Sequence, residues 1–298
     1  MKIIKPSVSY ISQSAGLTGV YKQIELAGRT AYKSEDKITE DSAEKFVKML
    51  MTRKHNAVLE HGTVYLKYRC KWEGDSLTNF YEKNPYSDVV YKLNEDDYEN
   101  GWAMATFYIT TNYRVIVEND RSRDLRYMSP PYESYVKRHT IKFILSRGIA
   151  NEFVRHRVFS FLQESTRYCN YSKDKFGGVT FIPSVECPLE VGEYVLNDDV
   201  DIIKDGDIYI HNKEIEELSQ KELMFYAYCV SEQLYLSLLD KGMKPQIARD
   251  VLPLGLKTEL IMTGTTEQWK EFCNLRCAPD AHPDARYLAD KVKELINF

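Results

Sequence analysis

Residues 16–54 carry apolar side chains at helical spacing. Ala27, Ala31 and the run from Phe46 to Met51 predict two helices joined by the polar link KSEDKITEDS. The period then changes. Val64, Leu66, Tyr68 and Cys70 alternate with Tyr65, Lys67, Arg69 and Lys71, the two-residue repeat of a half-buried strand. Residues 72–100 are acidic, rich in Tyr and Asn, and turn-like, so they read as a surface insertion. The β-branched and aromatic stretch 104–118 predicts a further strand, and the charged stretch from Asn119 to Pro131 predicts a loop.

Thr140 to Leu145 predicts a third strand, with Ile141, Phe143 and Leu145 on one face. Ser146 is placed to cap a short helix holding Ile149, Ala150, Phe153 and Val154, so Arg155, His156 and Arg157 leave its C-terminal end. Residues 187–212 are acidic and weakly patterned, and read as a second insertion. Lys213 to Asp240 reads as a long helix ended by Gly242, and Pro245 opens a short one. Leu256, Thr258, Leu260 and Met262 alternate as a strand. Thr265 and Gln268 form a capping box for the helix of Trp269, Phe272 and Cys273, and Pro283 opens a final amphipathic helix. Strands and helices interleave without regular alternation. This predicts an α+β fold: a central, mostly antiparallel sheet flanked by helices, in a single domain over 1–298 with insertions at 72–131 and 187–212.

Composition narrows the partners. With 40 Lys and Arg against 44 Asp and Glu, the net charge of −4 gives no global footprint for nucleic acid or an acidic membrane, so any anion site must be local. The opening MKIIKPSVSY has no apolar stretch of signal-peptide length, and no run reaches the roughly 18 apolar residues of a membrane span. The expectation is a cytoplasmic protein. The six cysteines include no C-x-x-C pair; Cys273 and Cys277 are spaced as one helix face, and no metal is expected.

The local exception to the acidic balance is Lys137–Lys175, with nine Lys and Arg against Glu152, Glu164 and Asp174. From Arg155 to Tyr168 it packs three arginines, a histidine and the hydroxyls of Ser160, Ser165 and Thr166. Arginine's planar fork suits phosphate and the edge of a pyrimidine. Phe159, Phe161 and Tyr168 offer stacking surface beside it. The same residues also fit a solvated helix end with surface ion pairs.

R-H-R followed by seven residues and a serine, here Arg155, His156, Arg157 and Ser165, with Ser160, Arg167 and Tyr168 in register, resembles the signature of the flavin-dependent thymidylate synthases. Leu59-Glu60-His61-Gly62-Thr63 resembles the family's E-H segment. Ala248 to Leu254 resembles its A-R-x-x-L-P stretch, Asn274-Leu275-Arg276 its L-R helix end, and Ala281 to Arg286 the element after it. The resemblance spans residues 59–286. It implies methylation of dUMP to dTMP, with methylenetetrahydrofolate as carbon donor, FAD as hydride carrier and NADPH as reductant. It further implies a homotetramer with sites shared between subunits. Carried over, FAD would meet His61, Thr63, Arg155, His156, Arg157, Gln163, Thr265, Thr266, Glu267 and Glu271. Glu152, Arg155, Gln163, Glu164, Ser165, Thr166, Arg167, Arg249 and Arg276 would surround dUMP. The backbone N–H groups of Glu164–Arg167, with Ser165 and Arg167, would hold its phosphate. Arg276, the implied catalytic residue, would sit against the uracil and favour its N3-ionised form.

The chain departs from some members at several positions: Gln163 for Glu, Glu152 for Gln, Thr265 and Glu271 for Asn, Asp280 for His, and Ala31 for Ser or Cys. The residue chemistry agrees with the resemblance. No Pro-Cys motif offers a cysteine nucleophile to activate the uracil ring, and a flavin removes the need for one. Two other readings stand beside it. One is a nucleotide- or RNA-binding module without FAD; the other is a homologue that has lost flavin, for which Thr265 and Glu271 are the telling positions. On their own, His61 also fits a structural histidine, and Arg249 and Arg276 fit helix-end arginines.

Overall fold

The computed structural model describes residues 1–99, 101–167, 170–172, 178–211 and 213–297. Tyr168 lies outside them. The sheet that positions the site orders β2 (Ser7–Ile11), β6 (Arg138–Ser146), β12 (Lys257–Thr265) and β7 (Ser160–Gln163), each antiparallel to its neighbour. β12 lies inside the sheet and is buried from Thr258 to Gly264. Leu260 faces Phe143 and Met262 faces Ile141 across the β6 ladder. That face packs on α5 (Arg147–Phe153), α8 (Thr266–Arg276) and α9 (Pro283–Ile296) through Phe153, Trp269, Phe272, Ala285, Leu288 and Val292. The alternate residues Glu259 and Thr263 face the other way, toward α1 (Gly16–Tyr32) and the turn Asn56–His61.

Two further sheets flank this one. β3 (Thr63–Lys71), β5 (Trp102–Asn112) and β4 (Asp88–Glu99) form an antiparallel sheet with β5 in the middle. Val64, Leu66 and Ile109 from this sheet share a core with Val20 and Ile24 of α1, Phe46 and Leu50 of α2 (Ser42–Thr52), and Tyr81 of α3 (Ser76–Lys83). The third sheet orders β11 (Asp207–Ile210), β10 (Ile202–Lys204), β9 (Gly192–Leu196), β1 (Lys2–Ile3) and β8 (Thr180–Phe181). Its β1–β8 pair is parallel. α6 (Gln220–Asp240) covers this sheet, with Phe181 stacked on Tyr228 at 4.3 Å and Phe225 against Tyr194.

The expected stop and start signals operate. Ser146 accepts the Ile149 N–H, Thr265 and Gln268 cap each other reciprocally, and Gly242 leaves α6 at φ +85°. Pro245 opens α7 (Pro245–Ala248). Several expectations are corrected. The α+β class holds, but the strands form three sheets instead of one. Residues 72–100 are not turn-like: they hold α3 and β4. The predicted strand over 104–118 ends at Asn112, whose side chain accepts the Val115 N–H at 3.1 Å and starts α4 (Tyr113–Glu118). Within 72–100, Leu77 and Tyr81 are buried, so that segment contributes to the core instead of lying wholly on the surface; Phe107, Ile109, Val115 and Ile116 are buried beyond it. The segment 187–212 supplies β9, β10 and β11, and the long helix begins at Gln220, seven residues after Lys213.

Candidate active site

The residues assigned from the sequence fall into three groups on the chain. The first lies where the end of α5 meets the end of α8. Arg276, the last residue of α8, donates from Nε to His156 Nε2 at 2.9 Å. Its Nη1 donates to Glu152 Oε2 at 2.7 Å and its Nη2 to the Glu152 carbonyl at 3.0 Å. Burial, and then the Arg276 charge, hold the His156 imidazole below its usual range, so it is neutral and accepts. The ring stands edge-on to Phe272 at 5.0 Å. Arg155 and Arg157 flank it, exposed and without an ion pair among the described residues. Glu152 borders a cavity of about 320 Å³ that also meets Ser146, Ile149, Tyr228, His282 and Asp284.

The second group lies beside the first half of β12. Gln163 Nε2 donates to Thr258 Oγ1 at 3.4 Å. The Glu164 N–H donates to the Glu259 carbonyl at 2.8 Å, and the Ser165 N–H to the Ala31 carbonyl at 3.0 Å. Two of the four amides in the segment Glu164–Arg167 expected to hold the dUMP phosphate are therefore engaged by the main chain. Glu164 is itself buried, its Oε2 2.9 Å from Lys257 Nζ. Lys257 reaches Glu259 at 2.6 Å; Glu259 also bonds Lys33 and lies 2.6 Å from Lys142 Nζ. Nearby stand the Ser165 hydroxyl, Arg167, whose side chain is exposed, and Arg249, which donates to Thr166 Oγ1 at 2.8 Å. Arg249 and Thr166 lie 83 residues apart in sequence and meet here.

The third group sits at the far end of β12. Thr265 caps α8. Thr266 Oγ1 lies 2.8 Å from His139 Nε2, and its N–H donates to the Lys137 carbonyl at 3.0 Å. Thr63 exchanges two 2.8 Å hydrogen bonds with the Gln13 amide. Glu267 and Glu271 are exposed, and Glu267 pairs with Lys270. His61 is fully enclosed, its Nδ1 2.8 Å from Thr263 Oγ1, which in turn bonds Thr140. Burial, with the Arg138 charge behind it, pushes the imidazole down to about 3. His61 is thus a neutral core histidine holding the turn against the sheet, not a residue facing a ligand. α8 is 11 residues long, about 16 Å at ~1.5 Å per residue, so it separates the His156 group from the Thr265 group.

Sequence reasoning passed over Lys33, Lys142, Lys257 and Glu259. The available signal was two charges, Lys257 and Glu259, on one face of an otherwise uncharged strand.

Exposed arginines with no ion pair among the described residues thus stand beside a neutral histidine and a carboxylate-held arginine on an α+β scaffold. A family model described as thymidylate synthase complementing protein matches residues 131–297, more than half of the chain, and the chain belongs to that family. It is similar to the flavin-dependent thymidylate synthase of Aquifex aeolicus, 22% identical over 322 aligned positions covering 95% of this chain and 96% of that protein. The Pyrococcus furiosus enzyme of the same name is 27% identical over 201 positions, 65% of this chain and 71% of that protein. A probable flavin-dependent thymidylate synthase of Paramecium bursaria Chlorella virus 1 is 28% identical over 157 positions, 53% of this chain and 65% of that protein.

Proposed function

We propose that this protein is a flavin-dependent thymidylate synthase, methylating dUMP to dTMP with methylenetetrahydrofolate, FAD and NADPH. The observation that carries the reading is the Glu152–Arg276–His156 arrangement beside Arg155 and Arg157. Two exposed guanidinia with no carboxylate partner among the described residues suit a dinucleotide's diphosphate, so the residues present fit FAD. Bound FAD would supply the hydride, and the chain's part is to bind, orient and polarise. Arg276, fixed at three points, presents a preset cation to the uracil without reorganising. Methylation at C5 displaces the C5 hydrogen. With dUMP tritiated at C5, tritium is released to water only when the folate, FAD and NADPH are all supplied; retention of the label in the complete mixture would sink the reading.

The phosphate of dUMP is assigned to Ser165, Thr166, Arg167 and Arg249. Ser165→Ala removes one hydroxyl donor and weakens dUMP binding about fivefold, the equivalent of about 1 kcal/mol for one hydrogen bond. A dissociation constant equal to that of the wild type would remove Ser165 from the site.

A homotetramer with shared sites fits the separation of the flavin residues along α8. It also fits the exposure of Leu223, Val230 and Leu234, 39%, 40% and 51% exposed, which fall on one stripe of α6. Leu234→Glu places a charge in that stripe and shifts the protein to smaller assemblies in sedimentation; an unaltered mass would place the contact elsewhere. Among the described residues no helix is long and apolar enough to cross a membrane. The proposed location is the cytoplasm.

A further inference from the structure

The segment that follows β7 alternates in burial. Glu164 and Thr166 are buried, Ser165 is half-buried and Arg167 is exposed. Two side chains turn inward and two turn outward, the period of an extended chain. The inward pair is fastened. Thr166 Oγ1 accepts from Arg249 at 2.8 Å. The Glu164 N–H donates to the Glu259 carbonyl at 2.8 Å, and Tyr171 OH donates to Glu164 Oε1 at 3.4 Å. Glu164, which the resemblance puts among the dUMP contacts, is thus committed to β12.

That commitment brings two acids together. Gln163 pairs with Leu260 across the β7–β12 ladder, so Glu164, the next residue, falls opposite Glu259. Like charges directly opposite each other repel, and burial makes each carboxylate costlier. Lys257, two residues before Glu259 on the same face of β12, resolves the conflict. Its Nζ lies 2.9 Å from Glu164 Oε2 and 2.6 Å from Glu259 Oε1, and the Glu164 and Lys257 side chains are 1% and 12% exposed. Lys33 and Lys142 bond Glu259, and Lys142 also lies 3.8 Å from Glu35. Among the described residues, Lys257 is the lysine hydrogen-bonded to both Glu164 and Glu259. We propose that Lys257 is a positioning residue for the phosphate of dUMP. It draws Glu164 inward, which leaves Ser165 and Arg167 turned outward, and it cancels a carboxylate that would otherwise repel a phosphate dianion. The proposal rests on the dUMP reading above.

The test is calorimetric titration of dUMP, and separately of deoxyuridine, into the full-length protein. Lys257→Met leaves Glu259 its other two lysines and strips Glu164 of its cation. It weakens dUMP about tenfold or more, as when one partner of a buried charge pair is removed. Deoxyuridine, which has no phosphate, binds as it does to wild type. A purely structural role would weaken both ligands alike. Adding Glu164→Gln to Lys257→Met recovers most of the lost dUMP affinity, because no unpaired carboxylate remains. If Lys257→Met does not fold, Lys257→Gln decides by the same comparison, since it keeps a hydrogen-bond donor for Glu164 and removes only the charge. A folded variant with the wild-type ratio of dUMP to deoxyuridine affinity would overturn the proposal, and so would a double variant as weak as Lys257→Met. Wild type that binds neither compound would overturn the dUMP reading itself, and this proposal with it.

Discussion

Arg276→Ala lowers the rate of dTMP formation about 10²–10³-fold while FAD remains bound, as expected when a preset charge is removed from a site where charge develops. The guanidinium is the meeting point of α5 and α8: Glu152 holds it with a carboxylate and a carbonyl, and His156 accepts from its Nε. Flavin contacts assigned to Arg155 and Arg157 do not pass through it, so flavin absorbance of the purified variant stays at the wild-type level. Turnover unchanged by the substitution would remove Arg276 from the catalytic role. The same geometry sets a pH dependence. His156 accepts only while neutral, and its pKa lies below the usual 6.5. The rate is therefore insensitive to His156 from pH 6.5 upward and falls on the acid side as the imidazole is protonated.

Glu259→Ala has the largest expected effect on stability, about 3–5 kcal/mol in denaturant unfolding at pH 7, because it leaves buried charge uncompensated. Lys33, Lys142 and Lys257 all converge on this carboxylate. Without it the carboxylates left are Glu164, 2.9 Å from Lys257, and Glu35, 3.8 Å from Lys142. The pH dependence follows from the shifts. Burial alone would raise the Glu259 carboxyl, but Lys257, then Lys142 and Lys33, reverse this and hold it at about 2. A carboxyl depressed from 4.5 in the unfolded chain contributes its stability above pH 4.5 and loses it as pH falls toward 2. Lys33 is raised: burial opposes its charge, but Glu164 and Glu259 outweigh burial. Its contribution is complete below 10.5 and fades as pH rises through the folded value. The difference between wild type and variant is thus greatest between pH 4.5 and 10.5 and shrinks toward pH 3. A difference that is constant from pH 7 to pH 3 would show that the cluster carries little net charge interaction.

The elements that were legible in the sequence are those with one buried face and an explicit end signal. Leu260 and Met262 alternate on β12, Ser146 and Thr265 cap the helices on either side of the site, and Pro283 opens α9. β4 gave no such signal. It is an edge strand whose Tyr91 and Leu93 are 50% and 58% exposed, so its residues show no hydrophobic period. β9, β10 and β11 are five, three and four residues long, too short for alternation to stand out. At 113–118 strand propensity lost to a local cap, the Asn112 side chain on the Val115 N–H.

In the site, the residues proposed to bind could be named from the signature, but their partners could not. Nothing along the chain links Glu152 to Arg276 across 124 residues, or shows that the Glu164 and Ser165 amides are already taken. His61 shows the converse: its neighbours match the signature's order, yet it is sealed beneath the sheet, where only burial reveals its role.

The most direct measurement is dTMP formation, followed by chromatography, from dUMP, methylenetetrahydrofolate and NADPH with the purified protein, with and without FAD. The account predicts dTMP that depends on FAD and disappears in Arg276→Ala. Folded, flavin-bound protein that forms no dTMP from this mixture would contradict it.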